Sequence, residues 1–551
     1  MKEELFLGID VSTQSITAVL INPRNGQVGQ FSLRFDDAFP TYGTRGGVLF
    51  GKNPNEVFVD PRMWAEALDG IFLLLKDRKL TGTVRALAVS AQQHGSVYLN
   101  NTFDAHLKSL DSGVPYQKQI QNVFSREVSP IWMDSSTRRE CVEISKAMGG
   151  EEQVARITGS MAMERFTGPQ IRKFWKERPQ EYEKTAHIAL VSSFITSLLI
   201  GRTSPVDGGD GYGTNLADIR TGRWSDDAMD ATAPRLASRL PRLILKDGVV
   251  GRASPYLVER YGFNHDTEVI VGSGDNPCSL VGLGLIGVPD IHAISLGTSD
   301  TYFGHMDGIG ALERSDGHIF GAADGKFMFL VCFKNGSPAR EAVKNSYGLS
   351  WDAFSEILLK TPPGNQGKII LPYFLPEITP LVLKPRVRRF GGLREDDIQG
   401  NVRAVAEAQA MSMYLHSGWT GSRPKCILVT AGGSENRGVL TVISQVFGIE
   451  VRSFEVKESA ALGAAVRAAH SYLNSRERTV KWSDLFESVV RPNTKEAIRP
   501  SPEAVNIYHA PDGLINVYEA CERFALAGGE NPQEQIRAFE AAFCDSFRSH
   551  V

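Results

Sequence analysis

An apolar run, Leu5 to Ile9, stops at Asp10 and passes into Val11, Ser12, Thr13 and Gln14. Far downstream Ala293, Ile294, Ser295 and Leu296 lead into Gly297, Thr298, Ser299 and Asp300. Each reads as a short buried strand ending in a turn of small polar residues. A chain that does this twice, once per half, is steered towards two α/β units whose strand ends face each other across a cleft. Backbone N–H groups and hydroxyls in such turns suit phosphate oxygens. An aspartate at a strand end suits Mg2+, which binds through one or two carboxylates plus phosphates.

The remaining pattern agrees with two units. At 551 residues the chain exceeds what one core sustains. Strands are expected at Leu5–Ile9, Ile16–Ile21 and Val28–Leu33, the last two joined by the turn Asn25-Gly26. Met63–Leu75 has helical spacing of apolar residues, Val84–Ala91 reads as a strand, and Val269–Val271 as a short one. The second half opens on Ile291–Leu296 and continues through a helix at Val402–Leu415. A strand at Cys426–Thr430 and a small-residue helix at Ser459–Ala469 follow. The boundary is placed in Gly282–Pro289, giving domains 1–287 and 288–551. An extension from about residue 473, helical near Leu514–Ala527, is expected to pack on the second domain.

Charge and cysteine usage exclude several classes. The net charge is −3, so no global basic field draws the chain to nucleic acid. The densest basic cluster, Lys384 to Arg389, reads as a solvated loop. Cys141, Cys278, Cys332, Cys426, Cys521 and Cys544 show no Cys-x-x-Cys spacing, which argues against zinc and disulfides and fits a reducing compartment. The N-terminus enters a strand at once, leaving no room for a secretory leader. No apolar run is long enough to span a membrane. A cytoplasmic protein, monomeric or homodimeric, with neither nucleic acid nor membrane as partner is expected.

Five strings carry candidate chemistry, and each alone also reads as an ordinary turn or core feature. Asp10-Val-Ser-Thr-Gln14 is the first. Gly272-Ser-Gly-Asp-Asn-Pro277 puts Asp275 at a strand end, where a carboxylate can take a hydroxyl proton or help position a metal. Gln92-Gln93-His94-Gly95 and Trp132-Met133-Asp134 set hydrogen-bonding groups beside glycine or an aromatic ring, which suits a polyhydroxylated ligand. Thr430-Ala-Gly-Gly-Ser-Glu-Asn436 offers a glycine pair that can lie flat against a nucleotide. Three look-alikes fail. Gly282-Leu-Gly-Leu-Ile-Gly287 follows no strand and meets Pro289, so it is no dinucleotide loop. Asp207-Gly-Gly-Asp-Gly211 has glycines where calcium ligands are needed. Asn335-Gly-Ser337 fits a glycosylation acceptor that a cytosolic chain would not use.

In this order the motifs resemble the FGGY family of carbohydrate kinases. The strings are Gln92-Gln-His-Gly95, Trp132-Met-Asp-Ser-Ser136, Glu164-Arg-Phe-Thr-Gly168, Gly274-Asp-Asn-Pro277, Ser295 to Thr301, Cys332 to Ser337 and Gly432-Gly433. The resemblance implies two actin/hexokinase-like (ribonuclease H-like) α/β domains, the first sugar-binding and the second ATP-binding. It implies transfer of the γ-phosphate of ATP to the 5-hydroxyl of D-xylulose. A kinase for ribulose or another ketose or polyol is the alternative, and a non-catalytic sugar sensor is a more distant one. Carried over by motif, Asp275 is the catalytic base, and Asp10 with Asp275 organises Mg2+. Gln93, His94, Trp132, Asp134, Arg165, Asp275 and Asn276 face the sugar. Thr13, Gln14, Gly297, Thr298 and Ser299 form the phosphate turns. Gly432, Gly433 and Asn436 take the adenosine side, with Trp351 as a wall for adenine. Two positions depart from the family: Ser12 stands where it usually has glycine, and Gln170 where it often has lysine.

Overall fold

β1 (Leu5–Val11) is buried along its whole length because it runs through the middle of a sheet, with a strand on either side. It pairs antiparallel with β2 (Ser15–Asn22), which pairs antiparallel with β3 (Gly26–Arg34). On its other side it pairs in parallel with β4 (Val84–Ala91). The sheet continues to β5 (Val249–Arg252) and β6 (Glu268–Ile270), in the order β5-β6-β4-β1-β2-β3. Full burial of each large apolar side chain on β1 stabilises the fold by roughly 1.5–3 kcal/mol. The helix α1 (Pro61–Asp77) starts where Asp60 accepts the Arg62 N–H at 2.9 Å, with Pro61 at its first position. Its apolar stripe, from Met63 to Leu75, packs into the same core as β1.

The computed structural model describes residues 4–310, 316–476, 479–489, 493–494 and 497–548; the side chains of 455, 493, 494 and 544–548, Cys544 included, lie outside the described residues. The chain divides into two compact units. The first holds Met1–Val288 and also His305–Met328 and Val456–Arg491, which lie C-terminal to residue 287. The second holds Pro289–Gly304, Phe329–Glu455 and Pro492–Val551.

α2 (Asp275–Gly282) follows Gly274 in the first unit. The second unit opens on the same device as the first. β7 (Ile291–Leu296) pairs antiparallel with β8 (Asp300–Met306), next to β9 (Phe327–Phe333). On its other side β7 pairs in parallel with β10 (Cys426–Thr430), and β10 with β11 (Glu450–Glu455). α3 (Ser337–Ser346), α4 (Ile398–His416) and α5 (Arg437–Phe447) belong to this unit. The helix expected near Leu514–Ala527 is present with those bounds.

α6 (Ser459–Asn474) returns to the first unit. A Cβ on Gly463 would lie 1.8 Å from the Cys278 carbonyl oxygen, and one on Gly282 would lie 2.0 Å from the Ser459 oxygen. α2 and α6 therefore touch backbone to backbone, which only glycine permits. This explains Gly282, while Gly284 and Gly287 serve turns at φ +72° and +71°.

The basic cluster corrects half of one expectation: Lys384 to Arg386 is an exposed loop, as expected, and the strand begins only at Val387. Val387–Phe390 is a strand paired with Ile369–Pro372, not a loop. Arg389 donates to Asn401 Oδ1 at 2.9 Å and pairs with Glu395. The ladder comes from a distant partner strand that local composition does not signal. Among the described residues, Cys141, Cys278, Cys332, Cys426 and Cys521 are in no disulfide, and no helix is long and apolar enough to cross a membrane.

Candidate active site

Three neighbouring strand ends carry Asp10 and lead into Asp275 in the first unit. Asp10 on β1 lies opposite Ser90 on β4, and Ser273 pairs with Ser90 from the other side. Ser90 Oγ donates to Asp10 Oδ1 at 2.6 Å. Asp275 opens α2 two residues beyond Ser273. Asp10 is only 7% exposed, and burial pushes its carboxyl up to about 6. Burial also pushes Asp275 up, to about 7, and the charge of Asp10 adds to this. Two carboxylates held in this way suit a divalent cation brought by a nucleotide. Among the described residues no group of three or more His, Cys, Asp or Glu side chains could hold a metal without such help.

Asp275 is tied to the expected sugar contacts. Its Oδ1 accepts the Asn276 backbone N–H at 2.9 Å and the Asn276 Nδ2 at 3.1 Å. Asn276 Nδ2 also donates to Gln93 Oε1 at 2.7 Å, and Gln93 Nε2 donates to the Gly209 carbonyl at 3.0 Å. A Cβ on Gly274 would lie 2.2 Å from Gln93 Cγ, so glycine is required for this approach.

His94 sits at φ +68°, stacked on Phe166 with ring centres 4.1 Å apart. Its Nδ1 is 2.7 Å from the Gly213 carbonyl, which can only accept. The proton is therefore on Nδ1, and Nε2 is left as an acceptor. Burial, with the nearby Arg165 cation, brings this imidazole down to about 3, so it stays neutral.

The structure joins Trp132 to Thr13 rather than leaving them in separate subsites. The indole Nε1, which only donates, reaches Thr13 Oγ1 at 2.9 Å, leaving the threonine O–H free to donate to a phosphate oxygen. Ser12 Oγ donates to the Ser15 carbonyl at 3.0 Å, and Ser12 is absent from the left-handed positions, so the turn does not need glycine there. Gln14, beside it, is exposed. Asp134 is buried and already accepts from Val57 N, Ser136 N, Ser136 Oγ and Gln170 Nε2. Its carboxylate is thus a hub that positions Gln170 and Ser136.

In the second unit Gly297, Thr298 and Ser299 form the three-residue link between the paired Leu296 and Asp300, and Thr298 is exposed. Asp300 is buried and held by both Nη atoms of Arg340, at 2.6 and 3.0 Å. Arg340 Nη1 also donates to Gln409 Oε1, and Gln409 Nε2 bonds the Asn335 and Gly336 carbonyls. A Cβ on Gly433 would lie 2.6 Å from Leu296 Cβ, which brings the glycine pair against the end of β7. Gly432 is exposed beside it. Asn436 caps α5, its Oδ1 accepting the Val439 N–H at 3.1 Å. Trp351 opens the helix Trp351–Lys360, 42% exposed, with Lys344 Nζ 5.4 Å from its ring. Ser355 Oγ of that helix accepts the Gly438 N–H, bringing Trp351 and the Gly432–Asn436 turn onto adjoining elements.

Several positions escaped the sequence reading. Arg340, which holds Asp300, and Gln409, which accepts from Arg340, lie in no motif with a visible partner. Arg467 on α6 is buried, donating to Asp247, Asp207 and the Val271 carbonyl just before Asp275. Asp207, set aside as a failed calcium loop, in fact caps the short helix Gly208–Gly211.

An α/β chain of two units, each opening on a strand, a turn of small polar residues and an antiparallel return, with Asp10 buried at one strand end and a half-buried Asp275 bonded to Asn276, has the make-up expected of a carbohydrate-phosphorylating enzyme. The N-terminal domain profile of the FGGY family of carbohydrate kinases matches residues 113–282, and the C-terminal domain profile matches 327–472. The chain belongs to the FGGY family of carbohydrate kinases. Xylulose kinase of Mus musculus is 38% identical over 540 residues, 96% of this chain and 96% of that protein. Crystal structures of gluconate kinase and of ligand-bound xylulose kinase from Lactobacillus acidophilus match with TM-scores of 0.78 and 0.77 at 19% identity. Each covers 95% of this chain and 98% of its own, which is a likeness of fold.

Proposed function

We propose that this kinase phosphorylates D-xylulose on its 5-hydroxyl with ATP as donor. The observation that carries the reading is the bonded array Asp275–Asn276–Gln93, set beside Asp10 and a neutral His94. Identity of 38% across 96% of the chain with a protein named xylulose kinase supports the choice of sugar. In the step, the O5–H proton passes to the Asp275 carboxylate, O5 bonds to the γ-phosphorus, and the bond from that phosphorus to the β,γ-bridging oxygen breaks, leaving ADP. His94 Nε2 accepts from a sugar hydroxyl, Asn276 and Gln93 hold the ketose, and Arg165 donates to it. Within the first unit Thr13 is the residue to donate to a phosphate oxygen; the second unit, taken by itself, offers the Gly297–Ser299 turn to phosphate and Gly432, Gly433 and Trp351 to the nucleoside. Mg2+, held by Asp10 and Asp275 together with the phosphates, would neutralise charge on the transferring group. A phosphoryl transition state is loose, so Asp275 works partly by orienting O5.

The test is Asp275→Asn, followed by ADP release and by D-xylulose binding. Turnover is expected to fall about 100-fold or more with binding retained. Near-normal turnover would remove Asp275 from the base role.

A further inference from the structure

The strand His318–Gly321 comes from the second half of the sequence but belongs to the first unit. The Ile319 N–H donates to the Gly159 carbonyl at 3.0 Å. A Cβ on Gly321 would meet the Gly208 backbone at 2.5 Å, so the strand is laid tightly on that unit. It delivers His318 to Arg165, with Nε2 3.1 Å from Arg165 Nη2. A guanidinium only donates, so His318 Nε2 is the acceptor. The ring proton is then on Nδ1, which donates to Ser160 Oγ at 3.2 Å. The ring rests on Phe166 and Phe320, the same two aromatics that flank His94. Arg165 Nε is buried with no partner among the described residues, and His318 takes the one side-chain hydrogen bond that Arg165 makes there.

We propose that His318 is a positioning residue for the sugar site, fixing the Arg165 guanidinium so that its remaining N–H groups face the ketose. An arginine without this anchor spreads over many rotamers and loses the ordering on which discrimination among ketoses depends. The acceptor is protected: burial and the charge of Arg165 hold the His318 imidazole well below its ordinary range, so Nε2 stays unprotonated. The inference rests on the reading of Arg165 as a sugar contact.

Full-length enzyme carrying His318→Leu, His318→Gln, Arg165→Ala or the Arg165→Ala/His318→Leu pair is assayed for kcat and for the KM of D-xylulose and of ATP. Glutamine places an amide oxygen about where Nε2 sits and keeps the acceptor. His318→Leu is expected to raise the D-xylulose KM about tenfold while the ATP KM moves by less than about twofold, and His318→Gln to recover most of the loss. In the Arg165→Ala background the leucine change should add less than about twofold. Additive effects, an unchanged sugar KM in His318→Leu, or glutamine as impaired as leucine would overturn the proposal. If Arg165→Ala raises the sugar KM and His318→Leu does not, this inference alone falls. If Arg165→Ala leaves that KM unchanged, the reading of Arg165 falls and takes this one with it. Should His318→Leu not fold, Ser160→Ala removes only the Nδ1 partner and is expected to raise the sugar KM about threefold; no rise overturns the proposal.

Discussion

At the scale of single residues, Asp275, the proposed base, is where stability and activity would meet. Its carboxyl stands at about 7 instead of the ordinary 3.8 because it is buried beside Asp10. A raised folded-state value means that the protonated form is the one the fold tolerates better. The associated stability is full below about pH 4 and is lost as pH rises through about 7. Asp275→Asn, a permanent neutral mimic, should therefore melt above the wild type at about pH 8, with the two converging towards pH 4. Thermal unfolding across that range checks this; a variant less stable than wild type at pH 8 contradicts it. With Asp275 as the proposed base, which must be ionised to accept a proton, kcat/KM for the ketose should climb with pH and then level, and Mg2+ beside the carboxylate would draw that climb below the value of about 7 set by burial alone. Asp10 and Asp275 were both visible as carboxylates at strand ends. Their elevated values were not, because desolvation depends on what the fold packs around them.

At the scale of elements, hairpins and helix contacts hold the functional turns. The link Gly297–Ser299 is pinned through Asp300 to Arg340, an ion pair with side chains 0% and 4% exposed. Arg340→Met leaves a buried carboxylate unpaired and should cost about 3–5 kcal/mol in urea unfolding, with Asp300→Asn in the same chain recovering much of it. The ATP KM should rise and the sugar KM should not. A second element contact is steric. Gly463→Ala would drive a methyl into the Cys278 carbonyl at 1.8 Å, on the helix that Asp275 opens. A cost of about 1–3 kcal/mol and a drop in turnover are expected. Wild-type stability and turnover would show that α2 and α6 are free to separate. Strands such as Leu5–Val11 and Cys426–Thr430 were legible from their apolar runs and turn residues. Arg340, Gln409 and Gly463 were not, because their reasons lie across the fold and leave no periodic trace. The basic strand Val387–Phe390 was missed for the same cause.

At the scale of the whole molecule, the chain repeats one topological device: a strand, a polar turn, an antiparallel return and a parallel neighbour on the far side. That repetition was legible because each copy begins with an apolar run ending in small polar residues. Less legible was the passage of His305–Met328 and Val456–Arg491 into the first unit, which brings His318 to Arg165 and Arg467 to Asp207. Long-range packing of this kind is set by shape and charge, which local sequence does not reveal. Membership of the carbohydrate-kinase family leaves the acceptor sugar open, and the proposed reading assigns its choice to contacts of Gln93, His94, Arg165 and Asn276. The most direct measurement is ADP release by the full-length enzyme across D-xylulose, D-ribulose, gluconate and glycerol. ATP consumption is expected to require added sugar, and kcat/KM for D-xylulose to exceed the others by about tenfold or more. Preference for ribulose or another acceptor, or ATP turnover indifferent to sugar, would contradict the proposed function.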